Sequence, residues 1–425
     1  MRCERVLALA RLRAPRAALA SPFARNAVAL YGVQIVGFVF PLITAPYLAR
    51  VLRPDGWGRV AFAQSFGLYL ALSIEYGFGL SATRDVARNR DALAARADLF
   101  GAVVGAKAVL ALIAVTVAGM VTRWIPVLRV EPLLLWSAVF WAVAQGFHPL
   151  WYYQGREDVR PVLALDVTAN AAAIAAVFVL CREPADAWKV LALQGCAATF
   201  VVIGGYSLAA RELPLRWPTW AAIRGRLATG AGLFAYRAAM GLYTVGNALL
   251  LGTVALPATV GYFAAAEKIV KSLFLVSIYP LHQALYPRIS RIAHADPADA
   301  ARLVRRVIPV FGGLGTIGGV VVFFAAPFLV RVLFGAGYSP AIRPLEILAL
   351  LLPILSLSTA IVMHLMLPAA LDRVLLVITV AAAALNVALA VVLARPYGEV
   401  GMAVSVVTVE AVVLAAVCIV ARKLA

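Results

Sequence analysis

Charge is scarce in this chain of 425 residues, and negative charge is scarcest. Asp, Glu, Lys and Arg together make up 14%, with 20 acids against 38 Lys and Arg. Hydrophobic residues reach 64%, and the mean hydropathy is +0.92. A soluble protein of that composition would have too little polar surface to stay dispersed. Cysteines number four. Cys196 and Cys418 fall inside apolar stretches, Cys3 lies at the N-terminus and Cys181 has no partner near it, which excludes a disulfide framework. The four histidines, His148, His282, His294 and His364, lack metal-ligand spacing, so no metal is expected. A GxxxxGK[ST] phosphate loop, an HExxH zinc helix and a GxSxG elbow are also missing. No connection between apolar stretches is long enough to carry a catalytic domain. The chain therefore reads as a non-enzyme without a cofactor.

What it has in abundance is apolar runs of membrane-crossing length. A hydrocarbon core about 30 Å thick needs about 20 apolar residues per helix. Twelve such runs are expected, at 26–49, 60–81, 99–121, 132–153, 161–180, 190–210, 231–253, 259–283, 307–330, 345–368, 374–394 and 401–421. All should be helices, because backbone in lipid must satisfy its own hydrogen bonds and no strand alternation suggests a barrel. The fold class is an all-α integral membrane protein.

Basic residues give the orientation. The N-terminus, the loops after even-numbered spans and the C-terminus hold 24 Lys and Arg, the loops after odd-numbered spans 10, and four lie within spans. By the positive-inside rule both termini are cytoplasmic. The net charge of +18 needs no nucleic acid as partner; anionic lipid headgroups of the bilayer supply the counter-charge. Residues 1–25 carry six arginines without an uninterrupted apolar core, so they read as a basic arm rather than a cleavable signal.

The chain also contains a weak copy of itself. Residues 51–66 (VLRPDGWGRVAFAQSF) align without gaps on 254–269 (VALPATVGYFAAAEKI), matching Val51, Pro54, Gly58, Ala61 and Ala63 to Val254, Pro257, Gly261, Ala264 and Ala266. Both segments link the first span of a half to its second. Six spans per half return the chain to its starting side, so the halves are expected as parallel repeats about an axis along the membrane normal. The divisions are a basic arm at 1–25, a six-helix bundle at 26–210, a cytoplasmic linker at 211–230 and a second bundle at 231–425.

Several segments resemble one family. NAVALYGVQIVGFVFPLITAPYLAR at 26–50, then RVLRPDGWG, AFAQS and YGFGLSATRDVARNR through residue 90, resemble the opening of Wzx-type O-antigen flippases. These belong to the polysaccharide transport branch of the MOP superfamily, which also holds the MATE exporters. VGYFAAAEKI at 260–269, LYPRIS at 285–290, ALNV at 384–387 and GMAVSVVTVE at 401–410 agree in order. The chain departs from the family at Arg53, where Gly is more usual, and at Trp57, where Phe or Tyr is common. Its N-terminal arm is longer than usual. The resemblance implies a MATE-like fold of the bacterial inner membrane. It further implies transfer of undecaprenyl-diphosphate-linked oligosaccharide to the outer leaflet, beside a polysaccharide polymerase and ligase.

Such a cargo requires water and fixed cations, because an unpaired diphosphate in low dielectric costs tens of kcal/mol by an idealised estimate, about 20 or more. Ionisable residues within spans are the candidates. In the eighth span Ala264, Lys268, Lys271, Tyr279, His282 and Tyr286 share one helical face if Pro280 leaves the phase unchanged. Lys268 and Lys271 suit a diphosphate, and Tyr279 and His282 suit sugar stacking. The bland alternative pairs Lys271 with Glu267 at i,i+4 and lets Lys268 snorkel. Arg237, among small residues of the seventh span, is the other substrate-binding candidate, against a structural ion pair with Glu75 or Asp166. Lys107 reads as a snorkelling lysine. Glu75, Asp166 and Glu410 are candidates for ion coupling, or for pairing with those cations. Arg84 and Asp85 read as a membrane-boundary anchor, and Gly101-xxx-Gly105 and Gly315-xxx-Gly319 as helix-packing faces. A MATE-like cation-coupled exporter and a lipid II flippase remain alternatives.

Overall fold

A computed structural model describes residues 22–121, 131–214, 216–295 and 297–422. The basic arm lies outside the described residues up to residue 21, as does Cys3. Among the described residues every regular element is helical. Seven segments are long and apolar enough to cross a membrane, one of them the 51-residue Asp372–Arg422.

Helix α1 (Pro22–Glu75) holds the first two expected spans and turns between them at Arg53, with φ 60° and ψ 171°. That region of backbone space is essentially reserved for glycine. The departure from the resembled family at this position therefore costs backbone strain. The second expected span, 60–81, is not continuous. Tyr76 (φ 52°) and Gly77 (φ 82°) break it, and α2 (Phe78–Arg88) starts a new axis. The first half continues with α3 (Leu93–Val121), α4 (Pro132–Gly146), α5 (Leu150–Gly155), α6 (Arg160–Leu180) and α7 (Ala187–Ala210). The fourth expected span is likewise broken, at residues 147–149.

Much of the expected linker 211–230 is helical, because α8 (Trp220–Thr244) begins inside it, capped by the Thr219 side chain. The extended stretch before it lies on α3, where the Arg216 carbonyl approaches Gly101 and Pro218 approaches Gly105. Gly105 also meets Ile223 of α8, so this pair packs on the extended stretch and on a helix, while Gly315 and Gly319 pack against Leu352 and Pro353 of a later helix. The second half comprises α8, α9 (Asn247–Gly252), α10 (Pro257–Leu273), α11 (Tyr279–Ala295), α12 (Pro297–Leu333), α13 (Ile342–Leu348), α14 (Leu351–Ile361) and α15 (Asp372–Arg422). Helix α15 bends at Gly398 (φ 54°) between the last two expected spans.

Wide turns with i→i+5 bonds follow α10 at Phe274–Ile278 and α14 at Val362–Met366. Each precedes a proline, Pro280 or Pro368. Proline lacks an N–H and its ring collides with the carbonyl four residues back, and a wider turn relieves both problems.

The repeat shows in how the halves touch. A Cβ on Gly58 would fall on the Pro257 carbonyl oxygen, and one on Gly261 would fall on the Pro54 carbonyl oxygen. Matched residues thus face each other reciprocally, the signature of a two-fold relation. Small residues allow the backbones to meet there. On the same side Tyr338 Oη donates to the Ala49 carbonyl at 3.0 Å, and Arg50 Nε donates to the Leu333 carbonyl at 3.1 Å.

Candidate functional site

On the opposite, arginine-rich side the halves are joined by charge. Arg237 Nη1 of α8 lies 2.9 Å from Glu75 Oε2 at the break in the second span. The Glu75 carboxylate also accepts the Gly77 N–H at 3.1 Å and the Gly79 N–H at 2.5 Å, capping α2. Of the two readings of Arg237, the structure forms the ion pair with Glu75. Asp85, expected with Arg84 at the membrane boundary, meets Arg226 of α8 at 2.5 Å. Tyr69 Oη donates to the Ala238 carbonyl at 2.8 Å, and the Tyr76 and Phe234 rings stack at 4.7 Å.

Lys107 corrects an expectation. It does not snorkel: it is 1% exposed, and its ammonium donates to the Gly146 carbonyl at 2.8 Å beside the Trp151 ring. The end of α4 leaves that carbonyl without an intrahelical partner, and the ammonium supplies one.

A cavity of about 330 Å3 opens among α1, α4, α6 and α7. Polar groups reach it from each wall: Gln64, Gln145, Asp166, Asn170 and Gln194, with Lys268 entering from α10 of the other half. Gln64 Nε2 donates to Gln194 Oε1 at 3.3 Å. Trp57 and Trp141 line it too, and the buried Trp57 indole N–H has no hydrogen-bond partner among the described residues.

Asp166 is held by His148, whose Nε2 lies 3.0 Å from Oδ1. The Leu150 N–H donates to His148 Nδ1 at 3.3 Å. With Nδ1 accepting, Nε2 must carry the proton and donate to Asp166, so the backbone fixes the tautomer. Lys268 is half-buried, and no hydrogen bond or ion pair to its ammonium occurs among the described residues.

Lys271, its expected companion, is held inside the second half. Its ammonium lies 2.8 Å from Glu267 and donates to the Thr244 carbonyl at 2.7 Å, an acceptor freed where α8 ends. Glu267 accepts from Asn247 Nδ2 at 2.8 Å, and Asn247 Oδ1 accepts from Asn386 Nδ2 at 3.0 Å. Tyr279 and His282 leave the Lys268 face. The wide turn at Phe274–Ile278 adds about one residue to the turn, and one residue is about 100° of rotation. Tyr279 packs beside Phe274 with ring centroids 6.1 Å apart, and His282 is fully buried against Phe311. Glu410 is 9% exposed within α15.

The structure therefore brings Lys268 and Asp166 together in one cavity and sends Arg237, Glu75 and Lys271 to ion pairs. Sequence reasoning missed the amides. Gln64, Gln145 and Gln194 stand in expected apolar spans, where an amide is costly unless hydrogen-bonded, and that signal was available. His148, at the break after α4, could not be told from an interfacial residue.

This chain is similar to known proteins along most of its length. The family described as "Polysaccharide biosynthesis protein" matches residues 23–293. A protein of Escherichia coli (strain K12) named "Putative O-antigen transporter" is 28% identical over 391 residues, covering 92% of this chain and 94% of the relative. Another of that name, from Shigella dysenteriae, is 24% identical, with 92% and 98% covered. Among solved structures, the lipid II flippase MurJ in an inward closed conformation superposes with a TM-score of 0.71 at 12% identity, covering 93% of this chain and 87% of that one. An inward-facing multidrug resistance MATE family transporter of the MOP superfamily also gives 0.71, at 14% identity, with 94% and 97% covered. These two share its fold.

Proposed function

The chain belongs to the polysaccharide biosynthesis protein family, and from that premise we propose that it is an O-antigen-type flippase of the inner membrane. Its cargo is an oligosaccharide repeat unit on undecaprenyl diphosphate, carried from the cytoplasmic to the periplasmic leaflet. Both termini lie in the cytoplasm, and the lipid tail stays in the bilayer while the polar part crosses inside the protein. No covalent bond is made or broken. A polymerase and a ligase would use the product.

The observation that carries this reading is the cavity of the first half with Lys268 in it. Amides and indoles are the side chains that grip sugars, by paired hydrogen bonds and by stacking. An ammonium without a carboxylate partner suits an anion. An exporter of organic cations would place a free carboxylate there, whereas Asp166 is already engaged by His148. At about 330 Å3 the cavity sits near the lower limit of small-molecule sites, about 300–1,000 Å3. A repeat unit needs more room, so transport requires the halves to part. Arg237 and Glu75 are the contact to be broken on the arginine-rich side, and a parted Arg237 is available to the diphosphate. Lys271 adds positive charge behind Lys268 only once its ion pair with Glu267 parts. Tyr279 and His282 join the path only if the wide turn after α10 rewinds. Asp166 is the candidate for coupling to an ion, with Glu75 and Glu410 as the others.

The test is the glycan profile of a deletion strain, with and without the gene restored. Loss of surface polysaccharide with lipid-linked single repeat units accumulating on the cytoplasmic face is expected. An unchanged profile would sink this reading and move the weight to export of small cations.

A further inference from the structure

Two histidines are buried together in the second half, away from the cavity. His282 comes from the start of α11, and His364 from the wide turn after α14. They are 0% and 2% exposed. His282 Nδ1 lies 3.3 Å from His364 Nε2, and the His282 ring stacks on Phe311 of α12 with centroids 3.7 Å apart. The outward nitrogens, His282 Nε2 and His364 Nδ1, are both buried without a hydrogen-bond partner among the described residues.

Proton counting makes this arrangement informative. A neutral imidazole has one N–H and one lone pair. The N···N contact uses one of each. Whichever ring donates, one N–H and one lone pair are left on the outer edges, and both are dry. Unmet buried polar atoms are rare in native proteins, and each requires a reason. Two phenyl rings would fill the same space with no unmet atom, so packing alone does not account for the pair.

Among the described residues no counter-charge touches either ring. The described charged side chains of neighbouring elements are Glu267, Lys268 and Lys271 on α10, Arg291 on α11, Asp299, Arg302, Arg305, Arg306 and Arg331 on α12, and Asp372, Arg373, Arg395, Glu399, Glu410 and Arg422 on α15. Among the described residues the only hydrogen bond to either imidazole is the one between them. Apolar Ile361, Met366 and Val417 cluster close by.

We propose that the His282–His364 pair is a proton-binding site of the second half. The outer lone pair accepts one proton from water, a single N–H bond forms, and the two rings share the charge along their N···N axis. Both outer atoms are then donors, and they need acceptors that the packed form does not offer. Proton binding thus favours a form in which water reaches the pair, and proton release favours the packed form. The wide turns are suited to such an opening, because the regular hydrogen-bond ladder is already interrupted there. Ionisable groups inside membrane spans commonly serve as proton relays. The inference is independent of the solute transported.

Histidine-selective 13C,15N labelling of the full chain in lipid nanodiscs tests it. Only four histidines are present, so His148→Gln and His294→Gln complete the assignment. The imidazoles are followed from about pH 8 to about pH 5, a range that brackets the ordinary value of about 6.5. The expected result is a joint shift of His282 and His364 with uptake of one proton, lost from His282 in His364→Phe while His148 is unchanged. Rings that stay neutral throughout, or that titrate independently, overturn the proposal. The His282→Phe/His364→Phe double variant leaves no unmet atom and should stay folded. With a pH-sensitive dye it should take up one proton fewer per molecule than the parent, and equal uptake also overturns the proposal.

Discussion

In the first half, Gln64 reaches Gln194 across a cavity. At the matched position of the second half, Glu267 is tied to Asn247 and Lys271 inside the bundle. The next residue along reverses the pattern: Ser65 is buried, whereas Lys268 leaves its own half and enters the cavity of the other. Matched helices of the two halves thus handle polar side chains differently, one lining a space and the other closing on itself. A shared backbone frame does not by itself decide where polar groups meet water. Single side chains at matched positions do, since an amide tolerates either setting and a buried carboxylate demands a cation.

The comparison can be broken first where the halves meet. Gly58→Ala and Gly261→Ala each push a Cβ into backbone of the other half. Each should cost on the order of 4 kcal/mol, read as loss of folded protein in thermal unfolding in detergent. A two-fold relation predicts matching losses, and a large loss from only one of them would argue against it. Next in size is Lys268→Ala. Surface polysaccharide should fall at least about tenfold, about 1.4 kcal/mol in the governing step, with the protein still in the membrane. Full display in that variant would remove the cationic cavity from the account.

Asn247→Leu sharpens the contrast within the second half. It leaves Asn386 Nδ2 without its acceptor and removes one of the two donors on Glu267, which keeps Lys271, so about 1–3 kcal/mol of stability should be lost. Gln64→Leu, at the wall of a cavity, should leave thermal stability within about 0.5 kcal/mol while lowering surface polysaccharide. Equal stability losses from the two would mean that the cavity wall is as closed as the second half. Arg53→Gly acts in the opposite direction. It should raise stability by about 1 kcal/mol, because the Arg53 backbone lies where only glycine is at ease.

Membrane class, helical content and the internal repeat were legible in residue order. A run of twenty apolar residues has few other fates, and Pro54, Gly58, Pro257 and Gly261 align as matched positions, although their mutual contact is seen only in the fold. The breaks were less legible. Tyr76 and Gly77 interrupt a run that reads as continuous, because Glu75 caps the new helix and Arg237 holds Glu75, both through folded geometry. The site was half legible. Lys268 stands out as a charge in an apolar run, but its partition from Lys271, three residues away, depends on which half each side chain enters.

Sequence by itself determined that this chain crosses a membrane repeatedly as helices in two related halves, because hydropathy and backbone hydrogen bonding act locally, residue by residue. Tertiary structure alone decided which ionisable groups pair and which remain available. A wide turn of five residues rotates Tyr279 and His282 away from Lys268, and a carboxylate from one half finds a guanidinium from the other. Some partners stand one turn away, as Glu267 does for Lys271, and others come from far along the sequence, as Glu75 does for Arg237. In a low-dielectric interior a difference of a few ångströms separates a paired ion from a free one.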